Sequence, residues 1–490
     1  MHDVNEQSIP AIPKEATSSQ QQHLAALIDR YTQRTQTSKA NAQAYRQVIA
    51  DPRQSEWFNL TTKEMCYLIV GERSQGSRVW DIDGNEYIDL LMGFGANLLG
   101  HNPPFVKNAL QAQLEKGIQL GPQAELAGEV AALISELTGM ERVAFSNTGT
   151  EAVMTAIRLA RATTHRSKIA VFTNSYHGHA DEVLIEARTL PETLAKLLGK
   201  TLKTRFNSRA IPIAPGIPDT VAKEALILEY GNPDSLQVIQ AHRHQLAAVL
   251  VEPVQTAQPD MQPKEFLQTL RQLTQSSGIA LIFDEMVTGF RLHLGGAQAW
   301  FGVAADIATY GKVVGGGMPI GVIAGKATYM DKIDGGMWCY GDDSYPAIEQ
   351  TFFAGTHCKH PLSIAAAHAV LQYLKRQGPT LQHHLNQRTS HFVAQFNKYL
   401  ETSGLPIQMA NVGSFFSPVF RNDVSPITLA PLMAGFDLLR YHLFDRGILL
   451  RGEGGGFLST AHTDEDVDYI LQAMKDSIAE LQAAGFFPTP

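Results

Sequence analysis

The chain has 490 residues, 44% of them hydrophobic and 18% charged, with a formal net charge of −8 and a pI near 6.1. No stretch approaches the roughly 18 apolar residues of a membrane span, and no basic block or interleaved aromatic stripe marks a nucleic-acid footprint, so small molecules or proteins are the expected partners. Three cysteines, Cys66, Cys339 and Cys358, are too few and too scattered for a disulfide framework, which points to a reducing, cytoplasmic setting.

At this length one core seldom keeps growing, and two subdomains around one large sheet are expected. Residues 1–22 carry Pro10, Pro13 and the polar run Ser18-Ser-Gln-Gln-Gln, and read as a flexible leader without an export signal. From Leu24 to about Val48 the pattern is helical but weakly amphipathic. Val79 to Leu90 then reads as a hairpin, because Asp83-Gly84 is a strong two-residue turn signal. Residues 23–115 are assigned to an N-terminal segment of the smaller domain.

Between about 120 and 325 strand and helix patterns alternate. Apolar runs at Arg142–Ser146, Lys168–Thr173, Ala247–Glu252, Ala280–Asp284, Ile307–Tyr310 and Ile320–Ala324 are separated by helical stretches such as Thr150–Thr163 and Pro263–Ser276. Such alternation predicts an α/β fold with a mostly parallel sheet flanked by helices, here within a large domain spanning 116–370. Residues 371–490 mix helices with short runs such as Phe415–Phe420 and Ile448–Leu450, and close on an acid-opened helix, Asp464–Ala484. A smaller α+β domain fits that end.

Within the alternating region, Asn147-Thr-Gly-Thr-Glu follows a strand and opens a helix, so Thr148, Gly149 and Thr150 offer a seat for a phosphate group. A hydroxyl cap with no ligand explains the same residues. The next strand delivers Tyr176-His-Gly-His, where an aromatic ring can lie over a planar heterocycle; no third ligand stands at a spacing that would make His177 and His179 a metal site. Glu252 and Asp284 end two further strands, at the sheet edge where open α/β proteins build their ligand crevices. A carboxylate pair also suits glycosidases, but leaves the lysine and the phosphate seat unexplained. Lys312 ends an apolar run and faces Gly315-Gly-Gly. A solvated loop lysine is the plain alternative, yet an acid for a pyridinium and an amine for an aldehyde, in order after a phosphate seat and a stacking ring, are what pyridoxal phosphate requires of a protein. Neither the glycine cluster nor Gly321-Val-Ile-Ala-Gly-Lys has the context of a nucleotide site.

From about Met65 to Ile478 the sequence resembles the class III pyridoxal-phosphate aminotransferases of fold type I. The carrying blocks are Trp80-Asp-Ile-Asp-Gly-Asn-Glu-Tyr-Ile-Asp, Asn147-Thr-Gly-Thr-Glu-Ala, Tyr176-His-Gly-His, Phe283-Asp-Glu-Met-Val-Thr-Gly-Phe-Arg, Gly311-Lys-Val-Val-Gly-Gly-Gly-Met-Pro-Ile-Gly and Ala461-His-Thr-Asp-Glu-Asp. They resemble glutamate-1-semialdehyde aminomutase among metabolic enzymes. Val70-Gly-Glu-Arg-Ser-Gln-Gly-Ser-Arg and Gly93-Phe-Gly-Ala-Asn-Leu-Leu-Gly-His-Asn-Pro-Pro are still more similar to the aminotransferase modules of hybrid polyketide and nonribosomal peptide synthetases.

That resemblance implies pyridoxal 5'-phosphate as cofactor, Lys312 as the Schiff-base lysine, Asp284 as partner of the pyridine nitrogen, and Tyr176 as the stacking ring. It places Thr148, Gly149, Thr150 and His177 about the cofactor, Glu252 as an orienting acid, and Met286 where the family usually has valine under the ring. Thr356 matches a threonine that reaches the phosphate from a neighbouring subunit, which implies a homodimer; Lys359-His360 replaces a common Gly-Asn pair after it. The implied activity is amino transfer from glutamate or glutamine to a ketone, taken as a β-ketoacyl thioester on an acyl carrier protein, with Phe94, Arg451 and Glu453 as substrate candidates. Arg451 is equally readable as a structural arginine. A 2,1-aminomutase is the alternative enzyme, and an inactive scaffold that docks carrier proteins is the alternative of another class.

Overall fold

The computed structural model describes residues 17–54, 58–187, 210–420, 426–452 and 454–489, which divide into two compact units. One comprises Pro104–His384, the other Met1–Pro103 with Leu385–Pro490. The division differs at both ends from the limits expected at 115 and 370. The reason at the first end is packing: the helix Pro104–Lys116 lays Phe105 flat on Tyr373 of the helix Pro361–Gln377, with ring centroids 4.4 Å apart and planes 7° from parallel.

In the Pro104–His384 unit, the apolar runs form a seven-stranded sheet. Its spatial order is Arg142–Ser146, Gly321–Gly325, Ile307–Tyr310, Ala280–Asp284, Leu246–Val251, Lys168–Phe172 and Ala225–Leu228. Gly321–Gly325 is antiparallel to both of its neighbours, and the remaining strands run the same way. Leu246–Val251, Ala280–Asp284, Ile307–Tyr310 and Gly321–Gly325 are buried at every position. Burial on both faces is why they read as continuous apolar runs rather than alternating ones. One face is covered by the helix Gly149–Thr164, whose Ala152, Val153, Ala156, Ile157, Leu159 and Ala160 join Ile169, Leu250, Ile282 and Ile323 in one core. Because the strands are mostly parallel, Ser146, Phe172, Val251, Asp284 and Tyr310 all end at the same sheet edge.

The other unit contains a four-stranded sheet ordered Gly71–Gln75, Arg78–Asp81, Glu86–Asp89, Ile448–Leu449, and a three-stranded sheet of Ile407–Val412, Phe415–Phe420 and Gly456–Phe457. The Asp83-Gly84 turn joins two of these strands with Gly84 at φ +83°. Asp83 also accepts from the backbone N–H groups of Thr37 at 2.5 Å and Ser38 at 3.0 Å, so the turn caps the helix Gln36–Tyr45. Part of the flexible leader expected over 1–22 is helical. Its residues 18–22 belong to the helix Ser18–Arg34, because Thr17 and Gln20 form a reciprocal capping box. Leu27 and Tyr31 bury that helix, with Tyr31 edge-on to Tyr441 at 5.3 Å. Residues 1–16 lie outside the described residues. No helix among the described residues is long and apolar enough to cross a membrane.

Two glycines separate backbone freedom from close approach. A Cβ on Gly321 would collide with the Thr148 carbonyl and the Ser146 hydroxyl, whereas one on Gly128, exposed on the helix Ala127–Thr138, would meet nothing within 4 Å. Gly321→Ala is expected to cost about 1–3 kcal/mol by overpacking, and Gly128→Ala to add about 0.5–1 kcal/mol through helix propensity. Urea unfolding midpoints check both; opposite shifts are the expected result.

Candidate active site

The sheet edge gathers its functional side chains from the loops after five strands. After Arg142–Ser146 the chain turns at Thr148, which caps the helix Gly149–Thr164 by accepting from the Glu151 N–H at 3.2 Å, while Glu151 reaches back to the Asn147 N–H at 2.7 Å. The N–H groups of Gly149 and Thr150 precede the helical ladder and carry its positive end. A Cβ on Gly149 would stand 2.8 Å from the Met286 sulfur, and one on Gly311 would stand the same distance from it. The thioether therefore fills the space between the helix terminus and the residue before Lys312.

The loop after Lys168–Phe172 rests on that helix. Thr150 accepts from the His179 N–H at 3.3 Å, and Gly178, at φ +86°, leaves no room for a Cβ, which would lie 2.5 Å from the Thr150 hydroxyl. Tyr176 is 64% exposed, while its N–H donates to Glu252 at 3.2 Å. His177 is buried, its Nδ1 2.8 Å from Asp284 Oδ2, and its buried Nε2 has no hydrogen-bond partner among the described residues.

Asp284 ends the fully buried Ala280–Asp284 strand, and its Oδ1 accepts from the Met286 N–H at 3.2 Å and the Thr309 hydroxyl at 3.3 Å. Thr309 is also its register partner on the adjacent parallel strand Ile307–Tyr310. Three residues on, Lys312 opens a short 3-10 turn, Lys312–Gly315, with φ +35°, in the left-handed region where a lysine is strained. Glu252 is buried and accepts from Thr256 as well as Tyr176; burial pushes its carboxyl up to about 7.

Other predicted residues fall elsewhere. Thr356 is exposed on the turn before the helix Pro361–Gln377. Of the pair that follows it, Lys359 has φ +61° and His360 caps the helix by accepting from the Leu362 N–H at 3.3 Å. Phe94 and Arg451 line one cavity of the other unit, and Glu453 lies outside the described residues. Gly321–Gly325, the near miss for a phosphate loop, is a buried strand.

Sequence reasoning assigns nothing to Thr309, Gln255 or Glu285. Gln255 is buried and donates to the Thr173 carbonyl at 2.8 Å and the Ser175 hydroxyl at 2.9 Å, which holds the loop that carries Tyr176. Glu285 accepts from the Ala297 and Gln298 N–H groups at 2.6 and 3.2 Å, and burial pushes its carboxyl up to about 7. A signal existed for Thr309, a hydroxyl interrupting an otherwise apolar buried strand; for the other two there was none.

A helix terminus, a buried acid braced by a histidine, and a lysine after the adjoining strand thus lie at one sheet edge, and comparison with known proteins makes the chain a fold type I, pyridoxal-phosphate-dependent enzyme. Residues 60–476 match the aminotransferase class-III family, and the chain belongs to it. Its curated relatives include the glutamate-1-semialdehyde 2,1-aminomutase of Chloroflexus aurantiacus, 38% identical over 84% of this chain and 90% of that protein, and that of Chloroflexus aggregans, 36% identical over 84% and 91%. Among solved structures, an omega-transaminase from Sphaerobacter thermophilus is 28% identical, covering 85% of this chain and 92% of its own, with a TM-score of 0.75. A β-phenylalanine aminotransferase from Variovorax paradoxus is 26% identical, covering 95% and 98%, with a TM-score of 0.77.

The raised carboxyl at Glu285 has a consequence for stability. Burial raises its carboxyl from the ordinary glutamate value of 4.5 to about 7 in the native state, so between these values the native state holds the extra proton and stability falls as pH rises. Glu285→Gln removes that contribution. The gap in unfolding midpoint between variant and parent is expected to move in the variant's favour from pH 5 to 7.5; a gap constant across that range contradicts the assignment.

Proposed function

We propose that the chain moves an amino group between carbons of small amino-acid substrates, and that Asp284 and Lys312, on neighbouring strand ends, carry the chemistry. The residues suit pyridoxal phosphate. Thr148, Gly149 and Thr150 stand at the first turn of a helix, where backbone N–H groups suit a phosphate, and His177 offers a buried nitrogen beside the acid. When bound, that cofactor supplies an aldehyde that takes up amines and a ring that withdraws electrons.

Each residue then has one task. Thr148, Gly149 and Thr150 hold the phosphate on the helix terminus. Asp284 keeps a proton on the pyridine nitrogen, and His177, 2.8 Å away, orients that carboxylate. Tyr176 covers one ring face, Met286 supports the other side, and Glu252 fixes the Tyr176 backbone through the 3.2 Å bond. The Lys312 amine anchors the cofactor at rest and, once released, carries a proton to or from the substrate carbon.

The identity of the relatives favours the 2,1-aminomutase reaction, an amine shifted between adjacent carbons of glutamate-1-semialdehyde. One observation keeps amino transfer between two molecules in play: the likeness to an aminotransferase named for a β-amino acid, spanning 95% of this chain. Under that second reading glutamate or glutamine donates the amine to a ketone, with a β-ketoacyl thioester on a carrier protein as one acceptor. A second copy of the chain is the expected partner in either case. Met337 (78%), Tyr340 (91%) and Phe352 (78%) are exposed apolar side chains on the segment leading to Thr356, the residue proposed to reach a neighbour's phosphate.

Glutamate-1-semialdehyde should be converted without any amino donor, with turnover unchanged by added glutamate. Product that appears only with glutamate and a ketone would replace the mutase by the transferase. Lys312→Ala should abolish the covalently held visible absorption and lower kcat by more than the ~10²–10⁴-fold of acid–base catalysis alone. Light scattering is expected to give twice the 53.7 kDa chain mass.

A further inference from the structure

Tyr176 stands exposed, and the one hydrogen bond it makes among the described residues runs from its backbone N–H to Glu252. Where its ring lies is therefore inherited from its backbone. That backbone belongs to the loop after Lys168–Phe172, which passes through Asn174 at φ +65°, in the left-handed region that asparagine tolerates. A short loop with exposed residues and a left-handed turn has little of its own to hold a single conformation.

The hold comes from the stretch that follows the neighbouring strand Leu246–Val251. Gln255 is fully buried there, and its Nε2 donates to the Thr173 carbonyl at 2.8 Å and to the Ser175 hydroxyl at 2.9 Å. These two acceptors flank Asn174, so one amide group spans the turn and spends both of its N–H donors on it. The stretch that carries Gln255 is itself fixed. Thr256 donates its N–H to Glu252 at 3.0 Å, Gln258 donates its own to the Gln255 carbonyl at 3.0 Å, and the buried Tyr230 hydroxyl donates to the Pro253 carbonyl at 2.7 Å. An exposed aromatic ring is thus carried by a loop that a buried, cross-braced side chain holds from behind.

We propose that Gln255 is a positioning residue for the reaction: through Thr173 and Ser175 it sets how the Tyr176 ring lies over the cofactor, and so how firmly the cofactor is held. Ring stacking depends on offset and distance, and a small misplacement transmitted from a remote residue forfeits much of it. The proposal rests on the assignment of Tyr176 as the cover of the cofactor ring, and adds to it a residue that acts only through the loop.

The test uses the full chain loaded with pyridoxamine 5'-phosphate, which is held without a covalent bond to Lys312, and follows its release after dilution by fluorescence. Tyr176→Leu should speed release by about tenfold, and Gln255→Met by about three- to tenfold. The double variant should match Tyr176→Leu alone, because a residue that acts through the ring has nothing left to act on once the ring is gone. Circular dichroism of the bound pyridoxamine phosphate should also change in Gln255→Met, a signature that a loss of stability alone would not produce. Because Gln255 is buried, Ser175→Ala provides a milder variant that removes one of its two acceptors; release should quicken by about two- to threefold, and not at all in the Tyr176→Leu background. Parental release rates in Gln255→Met and Ser175→Ala, or an effect that multiplies in full with that of Tyr176→Leu, would overturn the proposal and leave Tyr176 its role. A parental rate in Tyr176→Leu would instead remove the ring cover itself, and the proposal with it.

Discussion

The parallel pairing of Ala280–Asp284 with Ile307–Tyr310 is the constraint on which the rest of this molecule depends. It sets Asp284 opposite Thr309 and so fixes, within three residues of chain, where Lys312 emerges. Both strands are buried at every position, which makes their register costly to change: a slip of one residue would turn each side chain to the opposite face. Asp284 and the turn that opens with Lys312 are thereby placed by backbone pairing.

Around that pair, side chains from more distant stretches supply the environment. His177 reaches Asp284 across 107 residues of sequence, and both are buried. A carboxylate beside an imidazole in a water-poor site has its orientation set in advance, and electrostatic preorganisation of this kind is among the larger contributions to enzymatic rates. Met286, wedged between Gly149 and Gly311, ties the start of the helix Gly149–Thr164 to the lysine loop through shape alone. Thioethers adapt to irregular gaps, which suits methionine to this wedge.

What the sequence made legible follows a physical rule. Ala280–Asp284 and Ile307–Tyr310 were recognisable to the residue because strands buried on both faces are short apolar runs with abrupt polar ends. Ala225–Leu228 was not, since four apolar residues carry too little pattern to separate a strand from a helix fragment. Residues 18–22 were read as leader because polar composition hid the Thr17–Gln20 capping box, a signal of two residues rather than of a window. Contacts between loops were the least legible: that Thr150 supports the His179 backbone, or that Phe94 and Arg451 meet in one cavity, depends on chain paths that no local pattern encodes. The antiparallel strand Gly321–Gly325 belongs to the same category, for its direction is set by its neighbours and not by its apolar residues.

The role of Lys312 comes down to one covalent attachment. Borohydride reduction of the cofactor-loaded protein, followed by proteolysis and mass spectrometry, is predicted to find a single pyridoxyl-modified peptide, with the adduct on Lys312. Modification at a different lysine, or cofactor that washes away after reduction with Lys312 unmodified, would contradict it.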